Sequence, residues 1–399
     1  MAPESSTATL PLPQKAGAAT FATIFVIESF TRSLNVTVVS LQAHDILGSS
    51  QKVSVLATSV SLVLLLSTLL LPLVLGRLRR RWAYSLGAVF MLIAAICLAT
   101  HTLAGQWIGM FLRNGAAAIF NIVLSLYILD NIKRQDLARA EPIRLSMSAV
   151  SWTTGPALGV WLYVAYGPWG TQAAVIASLV LLMAVFWFLR LSDSGSSLPS
   201  GTLQTFNPLA NVRRFLGQPR LVLAWFIAFG RSCFWSTFMI YGPLLIVESG
   251  LGKGISGLVV SVSQALLLAA YWSGSLARHY GVRAVIAGSF GLASVAVLGA
   301  GLAGTHAPHV AIALLLAGGL AGSALDGVGG IPFLRAVRPH ERQRMTAVYR
   351  TSVEFSELVP SFIFAFALLW FEIGAVFVIL GLWLGALSAL TWRYLPRSL

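Results

Sequence analysis

The chain has 399 residues, of which 57% are hydrophobic and only 10% are charged, and its formal net charge at pH 7 is +14. A soluble globule of this size cannot bury so much apolar surface, so the composition excludes a soluble protein and indicates a lipid environment. The positive charge does not indicate a nucleic-acid partner, because the basic residues recur at every second connection, as the positive-inside rule describes for membrane proteins.

Long apolar runs divide the chain into about twelve candidate membrane spans, six in each half, since a span needs about 20 apolar residues. Backbone amides inside lipid must be bonded within their own segment, so runs of this length are predicted to be helices. The predicted spans are 17–41, 53–76, 82–104, 107–129, 146–166, 170–190, 221–247, 255–277, 284–304, 309–333, 346–370 and 373–394. The fold class is therefore an all-α integral membrane protein with twelve transmembrane helices in two six-helix bundles.

The distribution of charge predicts how the chain is organised across the membrane. Residues 1–16 are predicted to be a disordered cytoplasmic tail, 17–190 the N-terminal bundle, 191–220 a cytoplasmic linker, 221–394 the C-terminal bundle and 395–399 a second cytoplasmic tail. We expect a multi-pass protein of the plasma membrane, or of the inner membrane in a Gram-negative bacterium, with both termini cytoplasmic.

The two halves share short sequence patterns. Phe30-Thr31-Arg32-Ser33 returns half the chain later as Phe229-Gly230-Arg231-Ser232, and the loop from Gly76 to Trp82 returns as the segment from Gly274 to Tyr280. A repeat of this kind within apolar spans indicates a duplicated bundle whose halves are related by an axis along the membrane normal, which is an architecture of transporters.

With six plus six spans and a central linker, the chain resembles the major facilitator superfamily. The superfamily's motif after the second span is matched by Gly76 and Arg81, and its looser copy after the eighth span by Gly274, Gly281 and Arg283. Both copies have arginine, Arg80 and Arg278, where the family usually has an aspartate that pins neighbouring helices. The resemblance makes these two arginines candidates for conformational roles; the alternative is that they are cytoplasmic anchors.

The predicted fifth span contains Gly155-Pro156-Ala157-Leu158-Gly159, which is similar to a Gly-Pro-x-x-Gly motif of the superfamily's proton-linked exporters. The resemblance implies export and gives Gly155, Pro156 and Gly159 a role in helix bending and close contact. The alternative is that glycine and proline are simply frequent in membrane helices. Arg113 in the fourth span resembles a buried arginine that many of these exporters carry.

Eight charged residues lie inside the predicted spans, where each costs at least ~2.5–3.5 kcal/mol on insertion scales unless it has a partner or a cavity. They are Glu28, Arg32, Arg113, Arg231, Asp326, Arg350, Glu354 and Glu357. A carboxyl group in a medium of low dielectric binds a proton more readily than one in water. The four acids, Glu28, Asp326, Glu354 and Glu357, are therefore candidates for proton coupling.

In the resembled fold the first, fourth, seventh and tenth spans line a central cavity. The resemblance therefore implies a set of substrate-cavity candidates: Arg32, Arg113, Asn114 and Arg231. Spacing of four residues predicts the pairs Glu28–Arg32 and Arg350–Glu354, for which local neutralisation is the alternative role. Similar depth suggests that Asp326 pairs with Arg350 in an inner gate. Trp152, Trp235 and Tyr241 are candidates for a cavity wall or for ordinary packing.

We therefore expect secondary active transport of a small organic solute by alternating access, as export in exchange for protons (antiport, efflux). The first alternative is uptake or exchange of an anionic metabolite held by Arg32 and Arg231. A second alternative is a non-transporting membrane scaffold. The sequence has no nucleophile motif and no His/Cys cluster at metal-ligand spacing, so neither an enzyme nor a metal site is expected. The expected partners are the solute, protons and lipid, with no cofactor other than the proton gradient, no nucleic acid and a monomeric state.

Overall fold

The computed structural model describes residues 18–75, 77–131, 134–189, 208–338 and 341–396. The predicted tail at 1–16, Gly76, most of the predicted linker and residues 397–399 lie outside the described residues. The predicted domain boundaries therefore remain predictions.

The described part of the first half is a series of helices. They are α1 (Ala18–Ser33), α2 (Val38–Leu47), α3 (Ser50–Leu75), α4 (Arg80–Ala99), α5 (Leu103–Asn131) and α6 (Arg134–Phe188). Residue Gly167 interrupts α6 with φ 71° and ψ −166°, a backbone conformation that glycine adopts without steric cost. Helix α6 therefore consists of two helical segments joined at a kink.

The second half is also helical. Its helices are α7 (Pro208–Leu216), α8 (Pro219–Glu248), α9 (Lys253–Leu266), α10 (Ala270–Tyr280), α11 (Val282–Ala303), α12 (Pro308–Val328), α13 (Ile331–Ala336), α14 (Arg342–Ala367) and α15 (Gly374–Tyr394). A short 3₁₀ turn, Leu267–Ala269, joins α9 to α10. The described residues contain no β-strand, which confirms the all-α prediction.

Nine segments of the described chain are long and apolar enough to cross a membrane, or ten if the bent pair α9 and α10 counts as one span. One of them, Ser148–Phe188, is 41 residues long, about twice the length of a span, and contains the kink at Gly167. Helix α14 has the length of a span but carries Arg350, Glu354 and Glu357, which lower its hydropathy. These features are consistent with the twelve predicted spans.

Each half has an apolar core of its own. In the first half Tyr84 stacks on Phe186 with ring centroids 4.3 Å apart, within a cluster that draws on α1, α3, α4, α5 and α6. The second cluster centres on α8, α11, α12 and α15 and also includes Val53 and Val60 of α3. The two halves are therefore joined by apolar packing between α3 and the second core.

Two faces of the molecule are distinguished by charge. The basic side carries Arg77 and Arg79 between α3 and α4, Arg80 and Arg81 at the start of α4, and Arg278 and Arg283 around the turn from α10 to α11. The opposite face, called here the far side, carries turns at Gly48, His101 and Gly250. Large apolar side chains such as Leu292 and Val295 are exposed between the two faces, as expected for a surface in contact with lipid.

Candidate functional site

A cavity of about 910 Å³ lies between the two halves. Its first-half wall comes from α1, α2, α3, α5 and α6, and its second-half wall from α8, α9, α10, α12 and α14. Most of its lining is apolar or aromatic, and its charged lining residues are Arg113, Arg231, Asp326 and Glu357. This volume and this mixture of apolar walls with a few polar groups are typical of a site for a small organic molecule.

The cavity separates the predicted site residues into two groups. Arg113, Asn114, Arg231, Asp326 and Glu357 line it. The lining does not include the other charged candidates: Glu28, Arg32, Arg350 and Glu354. Of the three aromatic candidates Trp152 and Trp235 line the cavity, whereas Tyr241 is buried elsewhere.

Arg231 on α8 and Asp326 on α12 form an ion pair at the cavity wall, with 2.7 Å between Arg231 Nη1 and Asp326 Oδ1. The indole Nε1 of Trp235 donates to the other carboxylate oxygen at 2.8 Å. Gly322, one turn before Asp326, permits this close approach, because a Cβ there would lie 2.9 Å from the ring of Phe234 on α8. Both oxygens of Asp326 are therefore engaged.

The predicted inner-gate pair between Asp326 and Arg350 is not formed. Asp326 lies on the face of α12 that contacts α8, where Arg231 and Trp235 supply its donors. Arg350 is exposed on α14 and interacts electrostatically with Glu354, without a salt bridge to any described residue. The prediction was wrong because it used only the depth of each residue in the membrane, and depth does not determine which faces of two helices are in contact.

The predicted Glu28–Arg32 pair is present in the core of the first half, with 3.3 Å between Glu28 Oε1 and Arg32 Nη1. Glu28 is fully buried and also accepts a hydrogen bond from Tyr84 at 3.3 Å. Arg32 donates to Asn121 Oδ1 at 3.5 Å and lies 5.8 Å from the ring centroid of Trp152. Arg32 and Arg231 occupy equivalent positions of the repeat, but their acidic partners do not. Arg32 pairs with an acid on its own helix, whereas Arg231 pairs with an acid on α12.

Arg113 on α5 and Glu357 on α14 face the cavity from opposite halves and interact electrostatically. Arg113 Nη2 donates to Asn114 Oδ1 at 3.1 Å, while the buried Nε of Arg113 has no acceptor among the described residues. Within the same part of the chain the Glu357 carboxylate forms neither a hydrogen bond nor a salt bridge. The cavity therefore contains an arginine and a glutamate that interact electrostatically without a hydrogen bond or salt bridge between them.

The Gly155-Pro156 motif lies where α6 contacts α1 and α9. A Cβ on Gly155 would lie 1.9 Å from Ser33 Oγ, and one on Gly159 would lie 1.9 Å from the Leu34 carbonyl oxygen. On the other side of α6 the amide of Ala157, next to Pro156, donates to Ser261 Oγ of α9 at 2.9 Å. The motif therefore packs the first half tightly and touches the second.

Two charged clusters join the halves on the far side and form what we call the far-side seam. In one, Asp45 accepts from Lys253 and from Tyr163, each at 2.6 Å. In the other, Glu248 lies 3.3 Å from His44 and accepts from Ser50 at 2.5 Å. The sequence interpretation missed these charged residues, which lie just beyond the ends of the predicted spans.

The two arginines of the repeated loop have different surroundings. Arg80 begins α4 and is 7% exposed, whereas Arg278, near the end of α10, is exposed. Burial of Arg80 is more than a surface anchor requires, and exposure of Arg278 fits an anchor. The conformational roles predicted for both arginines remain predictions.

Family and fold comparisons agree with this architecture. The sequence model of the Major Facilitator Superfamily matches residues 21–279. The chain belongs to the Major Facilitator Superfamily. It is therefore a multi-pass membrane protein of a transporter family, as the sequence resemblance implied. No curated protein shows significant sequence similarity to this chain.

Solved structures of other transporters share the fold at low sequence identity. A POT family transporter in complex with 5-aminolevulinic acid has a TM-score of 0.74 at 12% identity, covering 95% of this chain and 97% of that one. A bacterial homologue of the iron transporter ferroportin, in an inward-facing state, has a TM-score of 0.73 at 12% identity, covering 96% and 100%. The nucleoside transporter NupG has a TM-score of 0.67 at 12% identity, covering 94% and 99%.

In this superfamily member the cavity lies on the basic side of the far-side seam. Its lining includes Ala43, one residue before the seam residue His44, and reaches Ser148 and Ala270, towards the ends of their helices on the basic side. The seam therefore separates the cavity from the far side of the membrane.

Proposed function

We propose that this protein is a secondary active transporter that moves a small organic solute through the central cavity by alternating access, with Glu357 as the site of proton coupling. The observation that carries the proposal is the Glu357 carboxylate, which lines the cavity without a bonded partner among the described residues. A carboxyl group in a cavity that is open to each side in turn can bind a proton on one side and release it on the other.

The other three predicted coupling acids have surroundings that support structural roles. Asp326 is held by Arg231 and Trp235, and Glu28 by Arg32 and Tyr84. Glu354 does not line the cavity. A proton in the cavity can therefore reach Glu357 directly, whereas Glu28 and Glu354 do not line the cavity. At Asp326 a proton would compete with the hydrogen bonds from Arg231 and Trp235.

Alternating access requires that the far-side seam open while the basic side closes. We propose that the basic side is cytoplasmic, following the positive-inside rule, so that the present arrangement faces the cytoplasm. The seam consists of ion pairs and hydrogen bonds at the ends of helices, which can separate without disrupting the apolar core of either half. The protein would work as a monomer in the plasma membrane with the proton gradient as its energy source.

Export in exchange for protons is the first candidate for the direction of transport. It is supported by the resemblance of the Gly155-Pro156 motif to that of proton-linked exporters and by the position of this motif where α6 contacts both α1 and α9. Close packing at this position would limit leakage between the halves.

Uptake or exchange of an anionic solute is the second candidate. A specific observation favours it, because Arg113 and Asn114 line the cavity and the side-chain amide nitrogen of Asn114 has no acceptor among the described residues. Arg32, which the sequence predicts to hold the anion together with Arg231, is bonded to Glu28 and does not line the cavity. Arg113 therefore replaces Arg32 in this hypothesis.

Solute transport in proteoliposomes tests the proposal. A thermal-shift screen of the purified protein against a metabolite and drug library would first identify a solute. Its movement is then measured with and without a pH gradient in vesicles containing the wild-type protein, Glu357→Gln, or the control Glu372→Gln, which changes an exposed carboxylate in the turn before α15. We expect the pH gradient to drive transport by the wild type and the control only. Gradient-driven transport by Glu357→Gln would overturn the proposal.

A further inference from the structure

We infer that the solute is an organic monoanion with an apolar body, that Arg113 and Asn114 bind its anionic group, and that one proton on Glu357 crosses the membrane with it. The inference rests on the proposed proton coupling at Glu357 and develops the second of the two candidates above. It is supported by the hydrogen-bond donors in the cavity, the predominantly apolar lining and the balance of charges.

Arg113 and Asn114 are neighbours in the cavity wall and leave hydrogen-bond donors unused. Guanidinium nitrogens only donate hydrogen bonds, so the bond from Arg113 Nη2 assigns the oxygen of the Asn114 side chain to Arg113. The amide nitrogen of Asn114 is then left with two unused donors. They lie beside the Arg113 guanidinium, so this part of the cavity wall combines a positive charge with unused donors. Carboxylates and other oxyanions are the ligands that such a set of donors binds.

Apolar side chains predominate in the remaining wall of the cavity, which also includes several serines and Gln264. Valine side chains from α2 and α3 and methionines from α5 and α8 line it, together with the indole rings of two tryptophans. These residues are Val39, Val53, Val60, Met110, Met239, Trp152 and Trp235. An apolar body would bury its surface against these side chains, and the serines leave room for only a few polar groups on it.

The second arginine of the cavity does not add a second anion site. Arg231 is neutralised by Asp326 at 2.7 Å, and the second oxygen of Asp326 is bonded to Trp235. Arg113 is therefore the one cavity arginine that has no salt bridge among the described residues. A single available positive charge matches a monoanion.

Charge balance links the proton to the anion. With the cavity empty, the charges of Arg113 and Glu357 cancel. They cancel again when Glu357 is protonated and a monoanion is bound at Arg113. With only the proton or only the anion bound, the cavity carries one net charge, which is costly to enclose in a medium of low dielectric. The halves should therefore close around the empty or the doubly loaded cavity, so that proton and anion cross together and without net charge.

The surroundings of Glu357 are compatible with this assignment. Glu354 on its own helix and Arg113 across the cavity interact with it electrostatically, and the Arg231–Asp326 pair lies in the same cavity wall. The other charged residues of the helices that contact α14 are Lys52 on α3, Arg213 and Arg214 on α7, Arg220 and Glu248 on α8, and Arg393 on α15. These residues lie towards helix ends, whereas Glu357 lies well inside α14.

Binding of defined probes to the purified full-length protein tests the inference. The probes are benzoate and 3-phenylpropionate, with their neutral amides and the corresponding amines as matched controls, measured by thermal shift and calorimetry at pH 5.5 and 7.5. We expect the carboxylates alone to bind the wild type, and to bind roughly tenfold more tightly at pH 5.5, the order expected when one nearby negative charge is removed.

Three variants test the roles assigned to Glu357 and Arg113. Glu357→Gln should bind the carboxylates equally at both pH values, and at pH 7.5 about tenfold more tightly than the wild type. This gain of binding cannot result from misfolding. Arg113→Gln should lose carboxylate binding, and Arg220→Gln, an exposed arginine at the start of α8, should retain it.

Preference for the amines or amides, absence of binding by every carboxylate, or no gain in Glu357→Gln would overturn the inference. The proposed function fails separately: it is wrong if pH-gradient-driven transport persists in Glu357→Gln. Loss of that coupling together with amine binding would retain the function and reject the anion.

Discussion

Asp45 at the end of α2 and Lys253 at the start of α9 form a 2.6 Å ion pair across the boundary between the two halves. Tyr163 donates to the same carboxylate at 2.6 Å, and the ammonium of Lys253 lies 5.3 Å from the centroid of its ring. Because these residues belong to different halves, any movement that opens the far side must separate them. The pair is therefore a direct reporter of the conformational cycle.

Locking this contact should stop transport. In a background with Cys97 and Cys233 replaced by alanine, Asp45→Cys and Lys253→Cys joined by a short thiol cross-linker should abolish solute transport in proteoliposomes, and cleavage of a reducible linker should restore it. The matched control is Thr305→Cys with Glu372→Cys, a far-side pair 3.4 Å apart between turns of the same half. Cross-linking that control should leave transport intact. Transport through the Asp45–Lys253 cross-link would show that the halves do not separate there.

Close packing of α6 on α1 should make Gly159 intolerant of a side chain. Gly159→Ala places a Cβ 1.9 Å from the Leu34 carbonyl oxygen, and a backbone atom cannot move aside as a flexible side chain can. We expect a loss of about 1–3 kcal/mol in the free energy of unfolding, as for other overpacked sites. Thermal denaturation in detergent measures the change.

Gly288 on α11 provides the control for that prediction. Nothing lies within 4 Å of a Cβ built on it, so Gly288→Ala should be neutral or should stabilise the helix by up to about 1 kcal/mol. Equal destabilisation by both substitutions would mean that the α1–α6 contact is looser than described.

The Arg231–Asp326 pair should behave as a coupled unit. Arg231→Gln and Asp326→Asn each leave one charge in the cavity wall, whereas the double variant leaves none, so it should be less destabilised than the sum of the two. The side chains are 31% and 24% exposed, so screening reduces the coupling to about 1–3 kcal/mol, below that of a fully buried pair. A double-mutant cycle by thermal unfolding measures it, and additive effects would contradict an energetic role for the pair.

The partners of the two repeated arginines show what the sequence could and could not predict. Glu28 and Arg32 are one helical turn apart, so their contact follows from the geometry of a single helix. Asp326 is separated from Arg231 by 95 residues, and their contact depends on how α8 and α12 rotate against each other. Gly318 and Gly322 permit this contact, since a Cβ on either would lie close to Phe234 of α8, but a glycine in a sequence does not show which helix packs against it.

The far-side seam was missed for a related reason. Residues His44, Asp45, Glu248 and Lys253 lie at span ends, where charged side chains are ordinary and carry no cost that calls for an explanation. Their importance appears only when the halves are placed together. The fold could be predicted because apolar length and charge alternation act along the chain. The site depends on which helix faces are in contact, and these contacts join residues far apart in the sequence, so no local pattern predicts them.

Proton movement driven by the solute is the measurement that tests the central claim most directly. Proteoliposomes containing a trapped pH indicator, at equal pH inside and out, receive an inward gradient of the best-bound solute, and exchange of labelled solute is measured in parallel. We expect the wild type to move protons with the solute, and Glu357→Gln to exchange the solute while moving no protons. Solute-driven proton movement by Glu357→Gln at the wild-type rate would contradict the assignment of proton coupling to this carboxylate.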